Sequence, residues 1–426
     1  MDSELPEGGP GSNRGRPPRV GLALACGAPE GAVYEIGALR ALDEALDGVD
    51  FNDLDIYVGV SGGAVLAACL ANRITTAQLC RSLLGAAGAG GAPPGETPFV
   101  ADAFLRPALR DLARGALALP RLLAESVWDY VTHPGEYSFL GSLTRLSRAL
   151  PAGVLDNEPI REYLADLFSR DGRTDDFRLL AKPLVVVAAD LDSARAVRFG
   201  EPGMDHVPIS QAVQASSALP GLYPPVEIEG RHYVDGVLLK TLHASVALER
   251  GTELLLCINP IVPVDTANAV ERGFLARGKL LDRGLPAVLS QTLRTIIHSR
   301  MATGMAAYEK KYQDADVVLF EPERDDYLMF FTNVFSYSER QAICEHAYHA
   351  TRKNLLARRG ELAPILARHG VSLRIDVLED PARDLWTGVG LSPEGKARPE
   401  SGRAVARRLD DALGRLDGLL AAQRLS

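Results

Sequence analysis

A serine set among glycines is the first residue of this chain whose neighbours point to chemistry. Residues 55–70 read DIYVGVSGGAVLAACL. The apolar run from Ile56 to Val60 suits a short buried strand, and Ala64 to Leu70 suits the opening turns of a buried helix. Between them, Gly59-Val60-Ser61-Gly62-Gly63 has the G-x-S-x-G spacing of a nucleophile elbow, in which a strand turns so sharply into a helix that only small residues fit beside the serine. This reading makes Gly59 and Gly63 structural and pushes the Ser61 hydroxyl out at the carboxyl end of the strand. There the free N–H groups of the next helix favour developing negative charge. The plainer reading is a glycine-rich turn whose serine only caps that helix.

A serine hydroxyl at its ordinary pKa needs a positioned acceptor for its proton. The stretch from Ile209 to Val237, ISQAVQASSALPGLYPPVEIEGRHYVDGV, runs from a short helix through a Pro-Gly turn into a hairpin that ends at Asp235-Gly236. An aspartate ending a strand before a glycine can project over the rim of a sheet, although Asp-Gly is more commonly a hairpin turn. A Ser-Asp-His triad is the other option, with His243 or His298 as the third member. His346 and His349 are close in sequence, but neither a carboxylate nor a third histidine stands at ligand spacing, so no metal is expected. The turn Cys26-Gly27-Ala28-Pro29-Glu30-Gly31 lacks the G-x-G-x-x-G of a dinucleotide site, and no cofactor is expected either.

These residues need a scaffold, and its strands are legible as apolar runs: Val20 to Ala25, PLVVVAADL from Pro183 to Leu191 with a partner at Ala196 to Phe199, Glu253 to Asn259, and Asp316 to Phe320. A helix is expected from Ala32 to about Asp47, and long helices from about Leu285 to Tyr312 and from about Ser338 to Arg358. Strands separated by helices predict an α/β fold with a mainly parallel sheet covered on both faces. Residues 1–18 read as a disordered tail, 99–150 as a helical insertion, 261–385 as a helical extension, 386–402 as a linker and 403–426 as an amphipathic helix. Within the insertion, Leu105, Leu109, Leu112 and Leu117 recur beside Arg106, Arg110 and Arg114, a pattern that packs one face against the body or lies on a membrane.

Of 426 residues, 46% are hydrophobic and 24% charged, as in an ordinary globular protein, and a net charge of -9 argues against nucleic acid as a partner and for any lipid contact being local. The five cysteines are unclustered and mostly set in apolar runs, which fits a reducing compartment. With neither signal peptide nor membrane span in view, a cytoplasmic location is expected, with room for peripheral membrane contact.

Taken together, these residues resemble the patatin-like phospholipases. The resemblance rests on GVSGG around Ser61, on ASSALPGLYPPVEIEGRHYVDGV from Ala215 to Val237, and on LVVVAADLDS leading to Phe199-Gly200, and it spans residues 19–260. It implies a three-layer α/β/α patatin-like core and a lipid acyl hydrolase of phospholipase A or esterase type, acting on a lipid or other acyl ester through an acyl-enzyme. It further implies a Ser-Asp dyad without histidine, in which Ser61 is the nucleophile and Asp235 its base. Backbone N–H groups of Gly27, Ala28 and Gly62 would form the oxyanion hole. The family's loop is Gly-Gly-Gly-x-Arg-Gly, and only Gly27 and Gly31 agree with it. Cys26 and Ala28 restrict backbone angles that glycine leaves open, and Glu30 puts a carboxyl where the family has a cation. Gly62 stands where alanine is common. These departures imply slow turnover. The alternative they raise is a catalytically weak or inactive patatin-fold protein that binds lipid or a protein partner.

Overall fold

The computed structural model describes residues 18–25, 28–85, 106–109, 113–114, 117–118, 120–125, 152–170, 172–271, 279–282, 284–326 and 337–392. β1 (Val20–Ala25) leads into α1 (Ala28–Ala45) and β2 (Leu46–Asp47); β3 (Ile56–Val60) leads into α2 (Gly62–Ala71), followed by α3 (Thr76–Leu84). Then come α4 (Glu158–Phe168), β4 (Leu184–Asp190), β5 (Arg195–Phe199), α5 (Ile209–Ser216), β6 (Val226–Ile228) and β7 (Arg231–Asp235). The chain continues through α6 (Ser245–Glu249), β8 (Leu254–Ile258), α7 (Thr266–Glu271), α8 (Lys279–Asp282), α9 (Leu285–Lys311) and β9 (Asp316–Phe320). α10 (Tyr337–Ala357), α11 (Arg359–Arg368), β10 (Ser372–Leu373), α12 (Ile375–Glu379) and α13 (Leu385–Gly388) complete the described part.

The main sheet runs β6-β7-β4-β3-β1-β8-β9, with β5 paired to β4. β4, β3, β1, β8 and β9 are parallel neighbours, while β5 and β7 lie antiparallel to β4. Every residue of β1, β3, β4 and β8 is buried. Side chains alternate between the faces of a strand, so a strand covered on both sides must be apolar throughout. Leu22, Leu24, Val186 and Ala188 pack into one core with α1, α2, α3 and α10. Ala23, Ala25, Val185 and Val187 pack into a second core on the other face, with α6 and with Ile297 and Met301 of α9. The three-layer α/β/α arrangement therefore follows from the alternation within single strands.

Several sequence expectations are corrected at their boundaries. Helix α1 begins at Ala28 rather than Ala32, which places residues read as a turn inside its first helical turn. The segment from residue 386 onward, read as linker, starts inside α13, and Trp386 in that helix and Val389 just after it are 2% and 3% exposed. Two apolar side chains buried that deeply belong to the body. The amino-terminal tail, most of the insertion and the terminal helix lie outside the described residues.

The helical extension is joined to α1 through one buried carboxylate. Glu44 accepts from Tyr348 Oη at 2.6 Å and from Arg383 Nε at 2.6 Å, and pairs with Arg40 at 2.6 Å. Burial pushes the Glu44 pKa up, but the hydrogen bonds from Arg383 and Tyr348 outweigh it and hold the carboxyl below its ordinary value. Helices α1 and α10 approach closely because Gly37 has no side chain: a Cβ there would sit 2.1 Å from the carbonyl oxygen of Cys344. Gly37→Ala is therefore expected to force the two helices apart and to cost about 1–3 kcal/mol, measured by chemical unfolding against Gly304→Ala, where a Cβ meets nothing within 4 Å.

Candidate active site

The site arises at a junction in the sheet. A strand has only two edges, and β4 has three partners. Along one edge β5 pairs with Val186 to Asp190. The other edge must therefore be shared by β3, which pairs with Leu184 to Val187, and β7, which pairs with Ala188 to Asp190. Val60 faces Val187 and Asp235 faces Ala188, so the carboxyl ends of β3 and β7 meet head-on at consecutive residues of β4. Neither chain can continue straight. Past Val60 the chain turns at Ser61, whose φ of 58° lies in the left-handed region, and past Asp235 it turns into a short 3-10 helix at Gly236–Leu238.

The glycines at this junction are required by space. A Cβ on Gly59 would stand 2.4 Å from the Cα of Ala64, and one on Gly63 would stand 2.6 Å from the backbone of Leu24. Both elbow glycines sit where the sharp turn needs them. A Cβ on Gly236 would lie 2.3 Å from the carbonyl oxygen of Val187, so the glycine of Asp235-Gly236 serves close approach. The turn of the β6–β7 hairpin falls instead at Glu229-Gly230, with φ of 53° and 76° as a two-residue loop of this hand needs.

Ser61 stands at the N-cap of α2 but makes no capping hydrogen bond with its side chain. The hydroxyl is left for other work. Contrary to the expectation of an exposed hydroxyl, Ser61 is 5% exposed, and Asp235 is 0% exposed. Asp235 Oδ1 accepts the Val237 N–H at 2.9 Å. Burial raises the Asp235 pKa from 3.8 to about 7, with the Ser61 hydroxyl and the Val237 N–H drawing it part of the way back. Oδ2 completes no hydrogen bond of full geometry among the described residues.

The backbone N–H of Ser61 donates to Ser216 Oγ at 2.9 Å, and that hydroxyl donates to the carbonyl of Val187 at 2.7 Å. Ser216 ends α5, whose other end is held by Asp175, which accepts from Ser210 N at 2.7 Å and from Ser210 Oγ at 2.6 Å. Sequence reasoning picked out the ASSALPG segment but gave Ser216 no part. Its only signal there is a small polar residue at the end of an otherwise apolar helix face.

Of the oxyanion candidates, Gly27 lies outside the described residues. Ala28 opens α1 and Gly62 opens α2, and N–H groups in a first helical turn have no partner within their helix. Glu30 also lies in the first turn of α1. Its Oε2 is buried without a hydrogen-bond partner among the described residues, and burial raises its pKa, against the pull of its own backbone N–H and of Arg294. The position that the resemblance marks as cationic thus holds a buried carboxyl whose pKa is pushed up by desolvation.

The histidines lie in other roles. The His243 ring pairs with the carbonyl of Gly236 at 3.2 Å and its pKa falls to about 4, chiefly through burial. His298 faces Arg324 at 2.9 Å, and His346 faces Asp326 at 2.7 Å. Among the described residues no group of His, Cys, Asp and Glu could hold a metal ion.

Residues 22–248, more than half of the chain, match the family described as Patatin-like phospholipase. The chain belongs to the patatin-like phospholipase family. Solved structures of similar fold include VipD from Legionella pneumophila, 18% identical over 80% of this chain and 67% of that one, with a TM-score of 0.36. Another is full-length ExoU from the type III secretion system of Pseudomonas aeruginosa, solved with SpcU, 15% identical over 70% of this chain and 53% of that one, with a TM-score of 0.27. The chain thus spans about half the length of ExoU. Both scores lie below 0.5, so the assignment rests on the family match. In this patatin-like chain Gly236→Ala is expected to open the junction and cost about 1–3 kcal/mol. Urea unfolding of that variant beside Gly59→Ala and Gly304→Ala checks it, the last serving as the substitution with free space.

Proposed function

We propose that this patatin-like phospholipase is a serine lipid acyl hydrolase in which Ser61 and Asp235 act as a dyad. One observation carries the reading: a fully buried aspartate stands beside a serine hydroxyl at the head-on junction of β3 and β7, where burial pushes its pKa up to about 7. A general base is most effective when its pKa lies near the working pH, and burial supplies that shift.

In the acylation step Ser61 Oγ attacks the ester carbonyl carbon while Asp235 takes the hydroxyl proton. The C–O bond to the leaving alcohol then breaks, and the alcohol departs with the proton held by Asp235. In deacylation Asp235 removes a proton from water, the resulting hydroxide attacks the acyl carbon, and Ser61 leaves with its proton restored. First-turn N–H groups of α2 and α1, those of Gly62 and Ala28 among them, would face the oxyanion, and Gly27 is the third donor the family pattern assigns. The substrate is a phospholipid or another acyl ester of lipid, met at a peripheral membrane contact. Among the described residues no helix is long and apolar enough to cross a membrane.

Fatty-acid release from a lipid panel by Ser61→Ala against wild type tests the proposal. Release should vanish while the unfolding temperature holds, and equal activity in the mutant would end the reading. Asp235→Asn should abolish release as well, because an amide cannot accept the proton. Replacing any of the eight histidines should cost far less.

The raised pKa of Asp235 fixes the direction of two pH effects. Activity needs the carboxylate, so kcat/KM should rise about tenfold per pH unit up to about 7 and then level off. For stability the sign is opposite. The folded state holds this proton more tightly than the unfolded state, whose carboxyl releases it near 3.8, so the group's contribution to stability falls as pH rises from about 3.8 to about 7. Asp235→Asn should therefore unfold at a higher temperature than wild type at pH 8, and a gain no larger at pH 8 than at pH 4 would contradict the buried, proton-holding aspartate.

A further inference from the structure

The pairing of β3 with β4 breaks off where the site begins, and a side chain takes over the missing bond. Tyr57 donates its N–H to the carbonyl of Pro183 at 2.9 Å. In a parallel ladder such bonds recur every second residue on both strands. The rung from Gly59 therefore goes to Val185 in the observed register, and the next would join Ser61 N–H to the carbonyl of Val187. Ser216 Oγ occupies that place instead, accepting from Ser61 N at 2.9 Å and donating to Val187 O at 2.7 Å.

We propose that Ser216 is a positioning residue for Ser61, its hydroxyl standing in for the last β3–β4 rung so that the nucleophile's backbone can leave the sheet without orphaning its N–H. This rests on the reading of Ser61 as the nucleophile. A direct rung would pull Ser61 toward extended backbone and aim its side chain along the normal alternation of the strand. A hydroxyl inserted between the two groups lengthens the connection by one atom, and the turn to a φ of 58° becomes compatible with full hydrogen bonding. Ser216 is 0% exposed, so no water can replace its hydroxyl without rearrangement. Both of its bonds are committed to the junction. The adjacent Ser217 is also buried, and its Oγ has no hydrogen-bond partner among the described residues. Two neighbouring buried serines, one with the bridge and one without, form an internal control.

The test compares full-length wild type with Ser216→Ala, Ser216→Thr and Ser217→Ala at equal concentrations of folded protein. Three readouts are taken: the rate at which a fluorophosphonate labels Ser61, kcat and KM for a soluble ester, and hydrogen exchange of the peptide containing Ser61. Ser216→Ala should lower labelling and kcat on the order of a hundredfold, the scale of a small misplacement of a reacting group. KM should stay within about threefold, since ground-state binding is untouched. Ser216→Thr, which keeps the hydroxyl, should restore most of the rate, and Ser217→Ala should leave it unchanged. Wild-type labelling in Ser216→Ala, or an equal loss in Ser217→Ala, would overturn the proposal. Should Ser216→Ala not fold, Ser216→Thr carries the test, and a folded Ser216→Thr without labelling would overturn it. If wild type itself neither labels nor hydrolyses, the assignment of Ser61 as nucleophile fails separately. Exchange then decides the bridge alone: faster exchange around residue 61 in Ser216→Ala supports it, and unchanged exchange overturns it.

Discussion

The site depends on a hydrogen-bonding problem at one edge of β4. Two strands end head-on there, and each must turn away at its last residue without leaving buried N–H and C=O groups unpaired, an omission that costs about 1–3 kcal/mol per group. The Ser216 hydroxyl answers this on one side of the junction, and Asp235 Oδ1, accepting from Val237 N–H, answers it on the other. Only small residues can stand at the turns, because α2 crowds Gly59 through Ala64 and β4 crowds Gly236 through the carbonyl of Val187, which leaves no room for a Cβ at either. Glycines, serine and aspartate at these places are thus consequences of one arrangement.

The same crowding sets the electrostatics. A junction sealed by backbone and small side chains excludes water, and a carboxyl enclosed there is penalised in its charged form, which brings Asp235 to a pKa of about 7. An exposed aspartate near its ordinary pKa would be ionised at neutral pH and would be a feeble base toward a serine hydroxyl. Burial therefore raises the proton affinity of this carboxyl at a cost in stability above its unfolded pKa. Glu30 shows the same force on a different group. Its carboxyl, in the first turn of α1, has its pKa raised by burial, against the pull of its own backbone N–H and of Arg294.

Much of this was legible in the chain, for identifiable reasons. Strands buried on both faces are rich in apolar residues, so β1, β3, β4 and β8 declare themselves as runs, and G-x-S-x-G between strand and helix declares the elbow. The sheet junction was not legible. It depends on registers that bring Val60 and Asp235 to adjacent residues of β4 from places far apart in sequence, and no local pattern encodes such pairing. Ser216 and Ser217 are indistinguishable by type, and only the direction in which α5 ends separates the bridging hydroxyl from the idle one. The boundary near Trp386 was misread because glycines and prolines farther along gave the whole stretch the composition of a linker, whereas Trp386 is anchored by burial.

The helical extension bears on the site through α1. That helix begins at the loop where the family pattern places the oxyanion donors, and it is held along its length by Gly37 against α10 and at its far end by the Glu44 group with Tyr348 and Arg383. A helix is stiff along its axis, so fixing its middle and its carboxyl end also fixes the direction of its first-turn N–H groups. Donors that stabilise a transition state must already be aimed when charge develops, since aiming them during the reaction would consume the energy they supply. The family match ends at residue 248, yet the residues that hold α1 in place come from α10 and from the segment before α13. The part of the chain beyond the family match therefore braces the helix to which the proposed mechanism assigns oxyanion donors. It supplies the second wall against which α1 is braced.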